Sequence, residues 1–120
     1  MKVMIVEDHG EMRRMLKNIV SLSFPEGVEI IDCASAEEAI DQFGRHNPDC
    51  VLMDFQLNQM NGFDAIKQIY KLHPGANVIM VTSFDSASIR KKAEKLRVKG
   101  FVSKENLFEI PQILQMINKR

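Results

Sequence analysis

Five short apolar segments alternate with five stretches of helical periodicity, and this alternation restricts the fold more than any other feature of the sequence. The segment 50–54 shows the pattern best, because it stays apolar until Asp54 and is followed by polar residues and Gly62. A buried strand that ends in a turn has this composition. The predicted strands are Lys2–Val6, Val28–Cys33, Cys50–Asp54, Asn77–Thr82 and Gly100–Ser103.

The segments between the strands have the 3.6-residue period of amphipathic helices. Their predicted starts are Met12, the Ser35–Glu38 capping box, the residue after Gly62, Asp85-Ser86, and Asn106. Pro111 either kinks the last helix or restarts it as a first helical residue, and we favour a break.

Strands that each lead into a helix predict an α/β domain with a doubly wound, five-stranded parallel sheet. Right-handed crossovers favour the strand order 2-1-3-4-5. At this length we expect one domain, residues 1–120.

The composition argues against two classes of partner. Sixteen basic and sixteen acidic side chains leave no net charge, so nothing global indicates nucleic acid or an anionic membrane. No apolar run approaches a membrane span, and a first strand at Lys2 leaves no room for a signal peptide. Cys33 and Cys50 fall in predicted strands, as free buried thiols would, so we expect a cytoplasmic location.

Acidic residues end two strands that should be neighbours. Glu7 and Asp8 follow the first strand and Asp54 ends the third, where the predicted strand order changes direction. Crowded carboxylates repel one another and favour Mg²⁺, a cation that prefers oxygen ligands. Thr82 and Lys104 end the fourth and fifth strands and would add a hydroxyl and a cation at the same edge. Each is ordinary alone, but together they fit phosphoryl transfer to a carboxylate.

This set of residues, in this order, resembles the receiver domains of two-component response regulators, in particular single receivers of the chemotaxis type, over essentially the whole chain. The resemblance implies a flavodoxin-like receiver fold and phosphorylation of Asp54 by a sensor histidine kinase or phosphotransfer protein. It implies Mg²⁺ or Mn²⁺ bound directly by Asp8 and Asp54, through water by Glu7, and by the backbone carbonyl of Gln56. Apart from self-phosphorylation and self-dephosphorylation, no enzyme activity is implied.

The resemblance also assigns the readout. Lys104 and Thr82 would contact phosphoryl oxygens, and Thr82 would vacate space for Phe101 to turn. The surface of the fourth helix, fifth strand and fifth helix would then change, for a homodimer or an effector. Gln56 and Phe84 occupy the positions that tune dephosphorylation, and we predict that shielding by Phe84 dominates.

Three positions depart from the family pattern. Glu105 replaces the proline after Lys104, and a cis bond before a non-proline residue is costly, so the sequence leaves the cis or trans state of this peptide open. Asn58 replaces a proline in the loop after Asp54, and Pro111 interrupts the last helix.

Other functions fit less well. A receiver-like adaptor without phosphorylation would not need all the site residues, and a small Mg²⁺-dependent phosphohydrolase would place its nucleophile after the first strand. An FMN carrier would need a phosphate loop where Glu7 and Asp8 stand. The basic residues of the fourth helix are either a solvated face or a surface for an acidic partner or dimer, with no motif for direct nucleic-acid binding.

Overall fold

A computed structural model describes residues 1–57 and 60–118, and their five strands form one parallel sheet. The strands are β1 (Lys2–Val6), β2 (Glu29–Cys33), β3 (Cys50–Asp54), β4 (Val78–Thr82) and β5 (Gly100–Ser103). Their order is β2-β1-β3-β4-β5, which confirms the predicted topology. β2 and β4 begin one residue later than the sequence pattern predicts.

Helices cover both faces of this sheet. They are α1 (Gly10–Ser23), α2 (Ala36–His46), α3 (Gly62–Leu72), α4 (Ala87–Lys95) and α5 (Ile110–Asn118). The apolar residues of α2, α3 and α4 pack with Met4, Val6 and Met53 on one face. Those of α1 and α5 pack with Val3, Ile5 and the alternate residues of the other strands on the opposite face. Every residue of β3 and β4 is buried, as expected for central strands of a two-sided parallel sheet.

The start of α1 differs from the prediction. The helix begins at Gly10 rather than Met12, because His9 acts as the N-cap and its Nδ1 accepts a hydrogen bond from the Met12 N–H at 3.4 Å. Imidazole caps are not among the residues that usually mark a helix start, so the apolar period alone placed it two residues late.

The predicted cap of α2 is partly confirmed. Ser35 Oγ accepts from the Glu38 N–H at 3.1 Å, as a capping box requires. The Glu38 carboxylate, however, accepts from the Ala34 N–H at 3.2 Å, one residue before the expected partner.

The predicted break before α5 is confirmed. A 3₁₀ turn covers Leu107–Glu109, and α5 begins at Ile110, so Pro111 lies in its first turn, where no N–H is needed. Across the described ranges no peptide bond is cis, so the Lys104–Glu105 peptide is trans. Asn58 lies outside the described residues.

Gly62 sets the approach of α3 to the end of β3. A Cβ at Gly62 would lie 2.5 Å from the Asp54 carbonyl oxygen and 2.8 Å from the Phe55 Cα. We expect Gly62→Ala to lower the free energy of unfolding by about 2–3 kcal/mol, because backbone cannot yield as a flexible side chain can. Urea denaturation measures this.

Gly10→Ala is the matched control, since a Cβ there meets nothing within 4 Å. Gly10 also begins a helix, so its change should be near zero or slightly stabilising. Equal losses in the two variants would contradict the close packing at Gly62.

Candidate functional site

The register of the sheet brings the predicted site residues to one edge. Val6 of β1 pairs with Met53 of β3, so the residues that follow, Glu7 and Asp54, lie level with each other. Thr82 of β4 pairs with Ser103 of β5, and Lys104 follows directly. Parallel strands therefore present these side chains at their common carboxyl end.

Three carboxylates meet at this edge. One oxygen from each of Glu7, Asp8 and Asp54 lies within 4.8 Å of the others. Glu7 is fully buried and Asp54 is 5% exposed, whereas Asp8 is partly open to solvent. They line a cavity of about 580 Å³, here called the acid cavity, together with Gln56, Ser83, Phe84, Lys104, His9, Met12 and Leu57.

Lys104 bridges two of the acids. Its Nζ donates to Glu7 Oε1 at 2.7 Å and lies 3.4 Å from Asp54 Oδ2. Sequence reasoning placed Lys104 at this edge but missed the shorter contact, because spacing along the chain does not say which acid a lysine reaches first. The ammonium group therefore partly neutralises Glu7 and Asp54 at once.

Backbone donors and a second cation hold the acids in place. The His9 N–H donates to Glu7 Oε2, and the Gln56 N–H donates to Asp54 Oδ1, both at 3.3 Å. Arg13 Nη1 donates to the Glu7 carbonyl at 2.8 Å, which fixes the end of β1 against α1. The roles of His9 and Arg13 were not predicted from the sequence.

The pKa values of the two buried carboxyl groups, Asp54 and Glu7, shift in opposite directions. Burial raises the pKa of Asp54 to about 7, with further contributions from a hydrogen bond to Glu7 and repulsion by its charge. Burial also acts to raise the pKa of Glu7, but hydrogen bonds to Lys104 and Asp54 outweigh it and leave that pKa below its ordinary value. For Lys104, burial acts to lower the pKa, and the two acids reverse this and raise it. A proton entering the pair therefore goes to Asp54.

Thr82 and Phe101 do not line the acid cavity. Thr82 is fully buried, and its Oγ1 accepts a hydrogen bond from the Phe84 N–H at 2.9 Å. Phe101 is half-buried, and the Arg90 guanidinium lies over its ring at 4.5 Å from the centroid. The sequence placed Thr82 at the correct strand end but could not show that its hydroxyl is held by the backbone.

The acid cavity suits an oxygen-binding cation. Its charged donors are carboxylates, two of them buried, and one ammonium does not balance three negative charges. His9 lines the cavity, but its Nδ1 accepts from the backbone of α1. Carboxylates without thiolate or free imidazole favour a hard cation such as Mg²⁺.

This fold, with acids and a lysine at the carboxyl end of its sheet, defines a class of signalling protein, the receiver module built on a doubly wound sheet. Residues 3–118 match the family described as the response regulator receiver domain, so the chain belongs to this family of two-component signalling proteins.

The sequences of related proteins align with nearly the whole of this chain. Chemotaxis protein CheY of Thermotoga maritima is 33% identical over 119 residues, which cover 98% of this chain and 95% of that protein. Chemotaxis protein CheY of Bacillus subtilis is 29% identical, with the same coverage.

The fold of this chain also matches those of solved structures. A DNA-binding response regulator of the LuxR family from Staphylococcus aureus superposes with a TM-score of 0.85 at 27% identity, covering 98% of both chains. CheY in the CheX-CheY-BeF3-Mg+2 complex from Borrelia burgdorferi gives a TM-score of 0.83 at 26% identity, covering 98% of this chain and 88% of that one. Within the described residues, no helix is long and apolar enough to cross a membrane.

Asp54 should destabilise the metal-free protein at neutral and alkaline pH. The unfolded chain holds Asp54 with a pKa of about 3.9, whereas the folded state raises it to about 7. The cost therefore appears as pH rises above about 4, and it is complete above about 7. We expect Asp54→Asn to raise the free energy of unfolding by about 2 kcal/mol near pH 8, and by less as pH falls.

Urea denaturation in the presence of a chelator measures this difference. Asp41→Asn is the control, because Asp41 is exposed on α2 and, within the described ranges, its one ion pair is with Arg45 at 3.4 Å. A gain for Asp54→Asn that did not change with pH would contradict this assignment of the proton.

Proposed function

We propose that this protein receives a phosphoryl group on Asp54 from a sensor histidine kinase or a phosphotransfer protein. The proposal rests chiefly on one observation: the Asp54 carboxylate faces the acid cavity with the Lys104 ammonium at 3.4 Å and two further acids beside it. The solved complex of a related CheY with BeF3 and Mg+2 supports it by analogy. Residues 1–120 would act as one domain in the cytoplasm.

The transfer requires an ionised Asp54. A carboxylate oxygen of Asp54 would attack phosphorus, the new O–P bond would form as the P–N bond to the donor histidine breaks, and the imidazole would leave. Burial opposes ionisation of Asp54, and the charge of Lys104 favours it. Mg²⁺ or Mn²⁺, held by Glu7, Asp8, Asp54 and the Gln56 backbone carbonyl, would neutralise phosphoryl oxygens when bound.

Lys104 would serve the product as well as the carboxylate. An aspartyl phosphate brings nearly two negative charges and several acceptor oxygens into the cavity. Lys104 already lies between Glu7 and Asp54, so it reaches a phosphoryl oxygen by loosening its 2.7 Å contact with Glu7. No substrate is turned over in this scheme, and the protein is a signalling component rather than an enzyme.

The readout would begin at Thr82. Its hydroxyl would leave the Phe84 N–H for a phosphoryl oxygen, and Phe101 would turn into the space released. Arg90 lies over the Phe101 ring, so that rotation would also move a cation of α4. The surface formed by α4, β5 and α5 would then favour an effector or a second copy through a shift between two packed states.

Phosphorylation can be tested with acetyl phosphate and Mg²⁺. We expect intact-protein mass spectrometry to detect one added phosphoryl group, lost on Asp54→Asn and greatly reduced by a chelator. Asp41→Asn should be modified like the parent protein, because Asp41 lies on α2 outside the cavity. No modification of the parent protein at millimolar donor would sink the proposal and favour a receiver-like adaptor.

Phe84 should slow the loss of phosphate. Its ring lines the acid cavity and meets the Phe55 ring edge-on at 6.2 Å between centroids. In the proposed scheme it would stand beside the path of an attacking water. We expect Phe84→Ala to speed self-dephosphorylation about fivefold, equivalent to about 1 kcal/mol of barrier. Gln56, also in the cavity, would orient that water.

The rate is measured by following the phosphorylated mass after removal of the donor. Phe108→Ala is the matched control, since Phe108 is 78% exposed and lies outside the acid cavity. An unchanged rate in Phe84→Ala would show that the ring does not shield the phosphate.

A further inference from the structure

A second cavity lies between α3 and α4, away from the acid cavity. It measures about 330 Å³ and lies over the apolar residues Phe63 and Leu96. Lys67 of α3 faces Lys92 and Lys95 of α4 across it, and Asp64 is the acid among the described lining residues. The cavity therefore combines an apolar floor with a cationic rim.

Among the residues that the structure describes, no acid forms an ion pair with the rim cations. In the described part of the chain, Lys67, Lys92 and Lys95 form no ion pair, whereas neighbouring Arg90 pairs with Asp85. Lys92 Nζ lies 5.8 Å from the centroid of the Phe63 ring, a long cation–π contact that leaves most of its charge available.

A neighbouring cavity lies toward the amino-terminal ends of β4 and β5. Leu96 also lines this cavity of about 490 Å³, together with Tyr70, Arg97 and Lys99. The Tyr70 hydroxyl donates to the Arg97 carbonyl at 3.3 Å, which ties the end of α4 to α3. The two cavities share Leu96, and together they are here called the α3–α4 groove.

We propose that the α3–α4 groove docks an acidic segment of a partner protein, with an apolar side chain seated over Phe63 and Leu96. The inference goes beyond the proposed phosphorylation and concerns the α3 side of α4 rather than the side that α4 shares with β5 and α5. An extended or helical peptide that carries acids on both sides of a leucine fits this chemistry. Rim charges would guide the encounter, and the apolar anchor would hold the complex.

The distribution of charge along the chain supports an acidic partner. Although the chain is neutral, most of its lysines and arginines follow residue 60 and most of its acids precede it. The strand order places β4 and β5 at one edge and β2 at the other, so the charges separate across the sheet. The basic side, which includes α4, therefore attracts acidic surfaces despite zero net charge.

A second copy of this chain and a nucleic acid both fit less well. On the acidic side, Asp32 already pairs with Arg13 and Lys17, and Asp41 pairs with Arg45. Nucleic acid would need exposed ring faces on which bases stack. Phe63 is only 8% exposed, and the Tyr70 hydroxyl is bound to the backbone.

The floor of the groove is in contact with the acid cavity through aromatic rings. Phe63 meets Phe55 at 5.0 Å between centroids, and Phe55 meets Phe84 at 6.2 Å. A docked segment would thus touch a series of rings that ends at Phe84, which lines the acid cavity. Docking itself needs no phosphoryl group.

The test uses a short synthetic peptide of glutamates flanking leucines and ¹⁵N-labelled full-length protein. We expect saturable amide shifts concentrated at residues 61–67 and 92–99, with weaker binding as salt rises. A Lys67→Ser/Lys95→Ser variant should bind about three- to tenfold more weakly. An Arg14→Ser/Lys91→Ser variant loses the same charge outside the cavity and should bind like the parent, as should Asp54→Asn.

Several outcomes would overturn the proposal. The first is that the peptide causes no amide shifts, or shifts that are not confined to the groove. The second is that both double variants lose binding equally. The third is that a peptide with serines in place of the leucines binds as tightly as the leucine peptide. Concentration-dependent shifts of the groove in the free protein would assign it to a second copy. Tighter binding of a single-stranded oligonucleotide in the same groove would assign it to nucleic acid. Because Asp54→Asn is included, failure of docking is separate from failure of phosphorylation.

Discussion

The ammonium group of Lys104 is the contact on which the acid cavity depends. It lies 2.7 Å from Glu7 and 3.4 Å from Asp54, and both acids are buried. Without a cation between them, two carboxylates this close could not both ionise in a low-dielectric site. The contact also joins the ends of β1, β3 and β5, so the geometry of the cavity is coupled to the outer edge of the sheet.

The stability of the sheet beneath the cavity offsets the free-energy cost of burying these charged groups. β3 and β4 are buried on both faces, and the alternate residues of the strands pack into two separate cores. A parallel register then leaves little freedom at the strand ends, since Glu7 and Asp54 must lie level. The site residues therefore lie just beyond the last hydrogen bonds between the strands. There, backbone N–H groups of the following turns still hold the Glu7 and Asp54 carboxylates.

Two sets of side chains connect the acid cavity to other parts of the molecule. Thr82 and Phe101 lie behind it, with Thr82 held by the Phe84 N–H and Phe101 covered by Arg90. Phe84, Phe55 and Phe63 form a second set that runs to the lysine-lined groove of α3 and α4. These three rings therefore border the proposed phosphorylation site and the proposed docking surface, and the Phe84 N–H holds Thr82 of the proposed readout.

From the sequence alone we could predict the alternation of strands and helices, the strand order, and the acids and lysine at the carboxyl end of the sheet, because these follow from periodicity and the parallel crossover rule. It also predicted the break before Pro111. It misplaced the start of α1, since the His9 cap has no periodic signal. Three further contacts could be seen only once the packing was known. Lys104 binds Glu7 more closely than Asp54, Thr82 is turned to the backbone, and three lysines line one cavity between α3 and α4. Those contacts join residues far apart in the chain, and their distances depend on how the helices pack.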